Sequence, residues 1–149
     1  MKIEKHVLCV CTGNVCRSPV MEALLREHGK KLGVEYVAFE SAGAVTGAKH
    51  HPADEGSVAC MQKRGINLSE HRARHVDEID LKSFDLIVTT CPGSRNILLG
   101  MNPYLNVFVM NEDAGGISKD SGEDSATYDK MAEDIAHAIP AVFEQLAAI

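Results

Sequence analysis

The apolar and polar positions of this chain fall into two rhythms that alternate along its length. Lys5 to Val10 is a short run closing on Val7-Leu8-Cys9-Val10, the pattern of a strand buried on both faces. From Arg17 to Leu32, Val20, Leu24, Leu25 and Leu32 recur at helical spacing among Glu, Arg and Lys. Val37 to Phe39 predicts a second strand, ending in Ser41-Ala42-Gly43. After a loop from Ala44 to His51, Pro52 suits the first position of a helix that runs to Arg64 and stops at Gly65. Phe84 to Thr90 predicts a third strand, Pro92-Gly93 opens a helix to Leu99, and Leu105 to Met110 predicts a fourth strand. Glu123 to Ala148 reads as one long terminal helix with Tyr128, Met131, Ile135, Ile139, Phe143 and Leu146 on one side. Pro140 within it is expected to kink it.

Strands that alternate with helices make a parallel sheet covered on both faces. The expectation is a single α/β domain over residues 1–149 with four parallel strands. A chain of 149 residues fits one domain of about 100–200 residues and buries a core without staples. No repeat, linker or low-complexity tract interrupts it. In such sheets, ligands gather at the carboxyl ends of strands. The loop between the first strand and the first helix lies there.

Composition narrows the class. Hydrophobic residues make up 45% and charged residues 24%, and no stretch approaches the ~18 apolar residues of a membrane span. The start, Met-Lys-Ile-Glu-Lys-His, leads straight into a strand and lacks a signal peptide's apolar core. The net charge of −6 argues against a nucleic-acid surface, so any bound anion must be held locally. The five cysteines Cys9, Cys11, Cys16, Cys60 and Cys91 are odd in number and unevenly spaced, as in a reducing, cytoplasmic compartment. No C-x-x-C pair supports zinc. Lys49-His50-His51 lacks further ligands and fits a solvated loop, so no metal or cofactor is expected.

The chemistry concentrates between Cys11 and Arg17, spelling C-x5-R. Gly13 and Asn14 readily take positive φ, so the loop can curl with its N–H groups pointing inward. The helix that follows adds the partial positive charge of its N-terminus. Backbone donors from Thr12, Gly13, Asn14, Val15 and Cys16 together with the Arg17 guanidinium make a cradle for a tetrahedral oxyanion. The Cys11 thiol sits at its base, and Ser18 is placed to donate to it. A thiolate beneath a bound phosphoryl group is a nucleophile in line for attack.

Cys-Thr-Gly-Asn-Val-Cys-Arg-Ser-Pro, near the N-terminus, resembles the signature of the low-molecular-weight protein tyrosine phosphatases. The likeness extends through Ser41-Ala42-Gly43, Gly65-Ile66-Asn67-Leu68-Ser69, His71-Arg72-Ala73-Arg74 and Phe84-Asp85-Leu86-Ile87. It implies a cysteinyl-phosphate intermediate, no metal, and phosphorylated protein as substrate. On matching positions Cys11 is the nucleophile, Arg17 the phosphate clamp and Ser18 the group that tunes the thiolate. Asn14 shapes the loop, and His71 and Ser41 support it. Cys16 matches a family cysteine that can form a reversible disulfide with the nucleophile.

Three departures sharpen the expectations. The family's leaving-group acid is an aspartate in an Asp-Pro pair; here Lys119-Asp120 stands at that place, so Asp120 is the expected acid, with Asp113 and Asp124 as fallbacks. Ala44 to His51 contains no aromatic residue, and the second loop offers Ser121, so the usual rings that line the mouth are missing. Thr12 is shared with related enzymes acting on phosphoarginine and with arsenate reductases. Asp85-Leu86-Ile87-Val88-Thr89-Thr90-Cys91 resembles the strand end of thioredoxin-coupled arsenate reductases, but no second thiol follows Cys91. The leading expectation is phosphotyrosine hydrolysis; the alternatives are a protein-arginine phosphatase, an arsenate reductase and a phosphate-binding module without its acid. Cys9 and Cys60 fit core packing, and Cys91 fits a small residue at a strand end.

Overall fold

The computed structural model describes residues 3–45, 49–118 and 124–149. Its elements run β1 (Lys5–Cys11), α1 (Arg17–Leu32), β2 (Val37–Gly43), α2 (Glu55–Gln62), β3 (Leu86–Thr89), α3 (Pro92–Met101), β4 (Val107–Val109) and α4 (Ser125–Ala147). The strands form one parallel sheet in the order β2-β1-β3-β4. The central strand β1 is apolar on both sides because both faces are covered. Val7, Cys9 and Val88 pack under α1, α2 and α4, whereas Leu8, Val10 and Ile87 pack with Leu98 of α3 and with Val76 and Leu81.

Several boundaries differ from the expectation, each for a local reason. Pro52 does not open α2. It forms an isolated antiparallel bridge with Arg72, and the Ala73 N–H donates to the His51 carbonyl at 2.8 Å, holding this segment extended until Asp54. Helix α2 also ends at Gln62, two residues before the expected Arg64, and a turn follows in which Gly65 has φ +78° and the Ile66 N–H closes back on the Met61 carbonyl. Strand β3 begins at Leu86 and not Phe84, because Leu81–Ser83 makes a 3-10 turn that Phe84 closes. Strand β4 is likewise shorter, and α3 extends to Met101. Helix α4 runs unbroken through Pro140.

Chain reversal in this sheet fixes the place of the site. From β1 the chain crosses to β2 on one side and later to β3 on the other, so a crevice opens at the carboxyl ends of β1 and β3. Cys11 ends β1 and Cys91 follows β3 at that edge.

Candidate active site

In the loop from Cys11 to Arg17, Asn14 takes the positive φ expected of Gly13 and Asn14, and Gly13 does not. Asn14 has φ +62°, and its side chain is wholly buried. That burial is satisfied at both ends: Nδ2 donates to Ser18 Oγ at 2.8 Å, and Oδ1 accepts from the Arg74 N–H at 2.9 Å. The Asn14 backbone N–H donates to Cys11 Sγ at 3.3 Å, and Ser18 Oγ lies 3.0 Å from the same sulfur. Because Asn14 Nδ2 already occupies an acceptor site of the Ser18 oxygen, the hydroxyl proton is free to point at the sulfur. Two donors thus converge on Cys11, a residue only 2% exposed.

The loop is braced from outside. His71 Nε2 lies 2.7 Å from the Asn14 carbonyl, which only accepts, so that nitrogen carries the proton. The Ala44 and Val45 N–H groups donate to the Cys11 and Thr12 carbonyls at 2.9 and 3.0 Å. Below them Gly43 leaves room that no side chain could share. A Cβ there would come within 2.8 Å of the Gly13 carbon and the Thr12 oxygen. Ser41 contributes through its carbonyl, which accepts from the Arg74 guanidinium, itself paired with Glu40 at 3.0 Å.

Arg17 opens α1 and reaches across the mouth. One terminal nitrogen donates to the Ile117 carbonyl at 2.9 Å and the other to Thr12 Oγ1 at 3.1 Å. A cavity of about 420 Å³ is lined by Cys11, Thr12, Gly13, Val15, Cys16 and Arg17 together with Asp54 and Ser118. None of these lining residues is aromatic. A hollow of about 520 Å³ between Val58, Gln62, Ile66 and Asn67 is larger but offers no thiol, acid or cation. The chemistry therefore belongs to the smaller cavity.

The remaining cysteines separate by environment. Cys16 caps α1, and its thiol lies 3.4 Å from the Met131 sulfur. Burial pushes the Cys9 thiol well up, and burial with Asp129 nearby pushes Cys60 up; both are inert core residues. Cys91 is different. Burial raises its pKa, but the Ser94 hydroxyl at 3.3 Å, the Ser94 and Gly93 N–H groups and the Arg17 charge outweigh it, leaving the thiol below its usual range. Its place as N-cap of α3 explains the backbone donors.

Sequence reasoning assembled Cys11, Thr12, Gly13, Asn14, Val15, Cys16, Arg17, Ser18 and His71 in one place, and the fold brings them together. It missed Asp54, Gly43 and the anchoring role of Arg74, which act through chain segments far away in sequence. Asp120 lies outside the described residues. Of the fallback acids, Asp124 caps α4, accepting from the Thr127 N–H and hydroxyl at 2.9 and 2.8 Å, bonds that lower its pKa. Asp113 lies exposed in a 3-10 turn. Among the described residues no group of three His, Cys, Asp or Glu side chains could hold a metal ion.

Comparison with known proteins meets the same geometry. The family described as low molecular weight phosphotyrosine protein phosphatase matches residues 6–148. The low molecular weight protein-tyrosine-phosphatase YfkJ of Bacillus subtilis is 40% identical over 101 residues, covering 67% of this chain and 65% of that protein. The chain spans 55–65% of the length of the bacterial relatives it matches. The crystal structure of the low molecular weight protein tyrosine phosphatase from T. tengcongensis superposes with a TM-score of 0.84 at 32% identity, covering 95% of this chain and 99% of that one. The YwlE arginine phosphatase from Geobacillus stearothermophilus shares the fold at a TM-score of 0.81 and 21% identity, over 97% and 94% of the two chains. With the match running from β1 to just past the end of α4, the chain belongs to the low molecular weight phosphotyrosine protein phosphatase family.

Proposed function

We propose that this protein is a cysteine-dependent phosphomonoesterase that removes the phosphoryl group from phosphotyrosine in proteins. The observation that carries the reading is the Cys11 sulfur, met by Asn14 N–H and Ser18 Oγ, in a cavity it shares with Arg17. As a thiolate, Cys11 attacks phosphorus while the P–O bond to the leaving group breaks. The loop N–H groups and Arg17 hold the equatorial oxygens, whose charge is greatest in the transition state. The two bonds that Arg17 makes to Ile117 and Thr12 set its fork before substrate arrives, which limits reorganisation. Asp120 protonates the leaving oxygen. Water then cleaves the cysteinyl phosphate, returning the electron pair to sulfur. Cysteine usage supports a reducing, cytoplasmic setting. No described helix is long and apolar enough to cross a membrane.

A second reading, a protein-arginine phosphatase, is supported by one feature. The cavity presents Thr12, bonded to Arg17, and no aromatic ring against which a phosphotyrosine side chain could stack. Hydrolysis of phosphotyrosine and phosphoarginine peptides by wild type and Thr12→Ile decides between them. Preference for phosphotyrosine in both supports the main reading; a wild-type preference for phosphoarginine that Thr12→Ile reverses supports the second. Arsenate reduction needs a further thiol near Cys91, and helix α3 supplies none.

A further inference from the structure

The Arg17 guanidinium meets a carbonyl that is itself held from behind. Ile117, whose carbonyl accepts from one Arg17 nitrogen at 2.9 Å, donates its own N–H to the Thr90 carbonyl at 2.7 Å. Thr90 directly follows β3, and its N–H donates to the carbonyl of Val10, the neighbour of Cys11 in β1, at 3.0 Å. The Ile117 side chain is buried in the core cluster that holds Val88 and Met110. A line of three hydrogen bonds therefore runs from the central strand through Thr90 and Ile117 to the guanidinium.

Glycine makes the middle of that line possible. Gly116 has φ +99°, and a Cβ on it would come within 2.3 Å of the Thr90 oxygen and 2.9 Å of Cys91 Cα. Both are backbone atoms that cannot swing aside, and the Thr90 oxygen is the acceptor that seats Ile117. The Gly116 N–H donates to the Asn111 carbonyl at 2.9 Å, closing the turn over Glu112–Ala114. Gly115 also has a positive φ, +84°, but a Cβ there would meet nothing within 4 Å. Two adjacent glycines share one conformational demand, and only Gly116 adds the close approach.

Resting on the phosphatase reading above, we propose that Gly116 is a positioning residue for the reaction: by seating Ile117 on Thr90 it fixes the carbonyl that aims the Arg17 fork. A guanidinium grips two oxygens of a phosphoryl group only when its plane is set. Here the plane is set at two nitrogens, by the Ile117 carbonyl and by Thr12 Oγ1. A side chain at 116 lifts Ile117 off Thr90, the carbonyl shifts, and the fork loses one of its two guides. Gly116 touches no reacting atom and acts through Arg17 alone.

Steady-state hydrolysis of p-nitrophenyl phosphate, with inorganic phosphate as competing anion, tests this on wild type, Gly115→Ala, Gly116→Ala, Arg17→Lys and the double variant Gly116→Ala/Arg17→Lys. Gly116→Ala is expected to lower kcat/KM at least about tenfold and to weaken inhibition by phosphate. Gly115→Ala carries the same backbone cost and is expected to lower the thermal midpoint while keeping kcat/KM close to wild type. The nitrophenolate needs little protonation on leaving, so a loss on this substrate reports the clamp and not the acid. Lysine is a point charge without a fork, so in Arg17→Lys the glycine has nothing left to aim. Adding Gly116→Ala to that variant is expected to cost less than about threefold more. Losses that multiply in the double variant overturn the proposal, since a purely structural effect would persist without the guanidinium. Equal losses in Gly115→Ala and Gly116→Ala overturn it as well, as does a Gly116→Ala enzyme with wild-type kcat/KM. Should Gly116→Ala fail to fold, Ile117→Ala takes its place in the cycle, and multiplying losses there overturn the proposal. An Arg17→Lys enzyme as active as wild type would overturn the catalytic reading itself, an outcome distinct from these.

Discussion

At the scale of single residues, the two donors that meet the Cys11 sulfur are the Asn14 N–H and the Ser18 hydroxyl, and the latter has a fixed partner of its own. Asn14 links the Ser18 hydroxyl to the Arg74 backbone, so the donors to Cys11 are held by bonds that reach the far wall. The same economy makes Cys91 a reporter. Its thiol is depressed despite burial by Ser94, by two backbone N–H groups and by Arg17. Thiolate fraction sets alkylation rate, so iodoacetamide should modify Cys91 with a pH midpoint below that of an ordinary thiol. Binding vanadate or phosphate to Arg17 offsets part of that positive charge, and the midpoint should then move up. A midpoint unaffected by the anion would separate Arg17 from Cys91. Asp120→Asn is expected to lower turnover of an alkyl phosphate at least about tenfold and of an aryl phosphate less, because only the poor leaving group requires protonation. Equal effects on both substrates would place the acid elsewhere.

At the scale of elements, glycines and caps decide how closely the segments approach the loop. Gly43 ends β2 directly beneath Thr12 and Gly13, and the atoms a Cβ would strike are backbone, which cannot swing aside. Gly43→Ala should therefore displace the loop and reduce kcat by roughly 10²-fold, more than it changes the thermal midpoint. Gly56→Ala drives a methyl into the buried Tyr128 ring and should destabilise the fold by about 1–3 kcal/mol, measured by denaturant unfolding. Asp124 caps α4, and its folded pKa is lowered by Thr127. Its contribution is therefore present above the unfolded carboxylate pKa and lost as pH falls through the folded value. Asp124→Ala should lower the thermal midpoint at neutral pH and make no difference in strong acid.

At the scale of the whole molecule, the sheet order puts the thiols of Cys11 and Cys91 at the ends of adjacent strands. The periodic patterns in β1, α1 and α4 predicted those elements, since burial on a regular face leaves its period in the sequence. The loop was legible in part: of Gly13 and Asn14, the two residues expected to allow positive φ, only Asn14 takes it, at +62°. What did not show was set by tertiary contact. Pro52 looks like a helix start until Arg72 pairs with it, and Phe84 looks like strand until the turn over Leu81–Ser83 forms. The contact between Asp54 and the Tyr128 hydroxyl gives no signal because Tyr128 belongs to another helix, brought near by the close packing at Gly56. The central claim is a covalent bond between Cys11 and phosphorus during turnover. Acid-quenched enzyme, digested and analysed by mass spectrometry after mixing with an aryl phosphate, tests it most directly. One phosphoryl group on the peptide carrying Cys11, lost together with activity in Cys11→Ser, is the predicted result. Continued hydrolysis by Cys11→Ser, or a phosphoryl group attached to another residue, would contradict it.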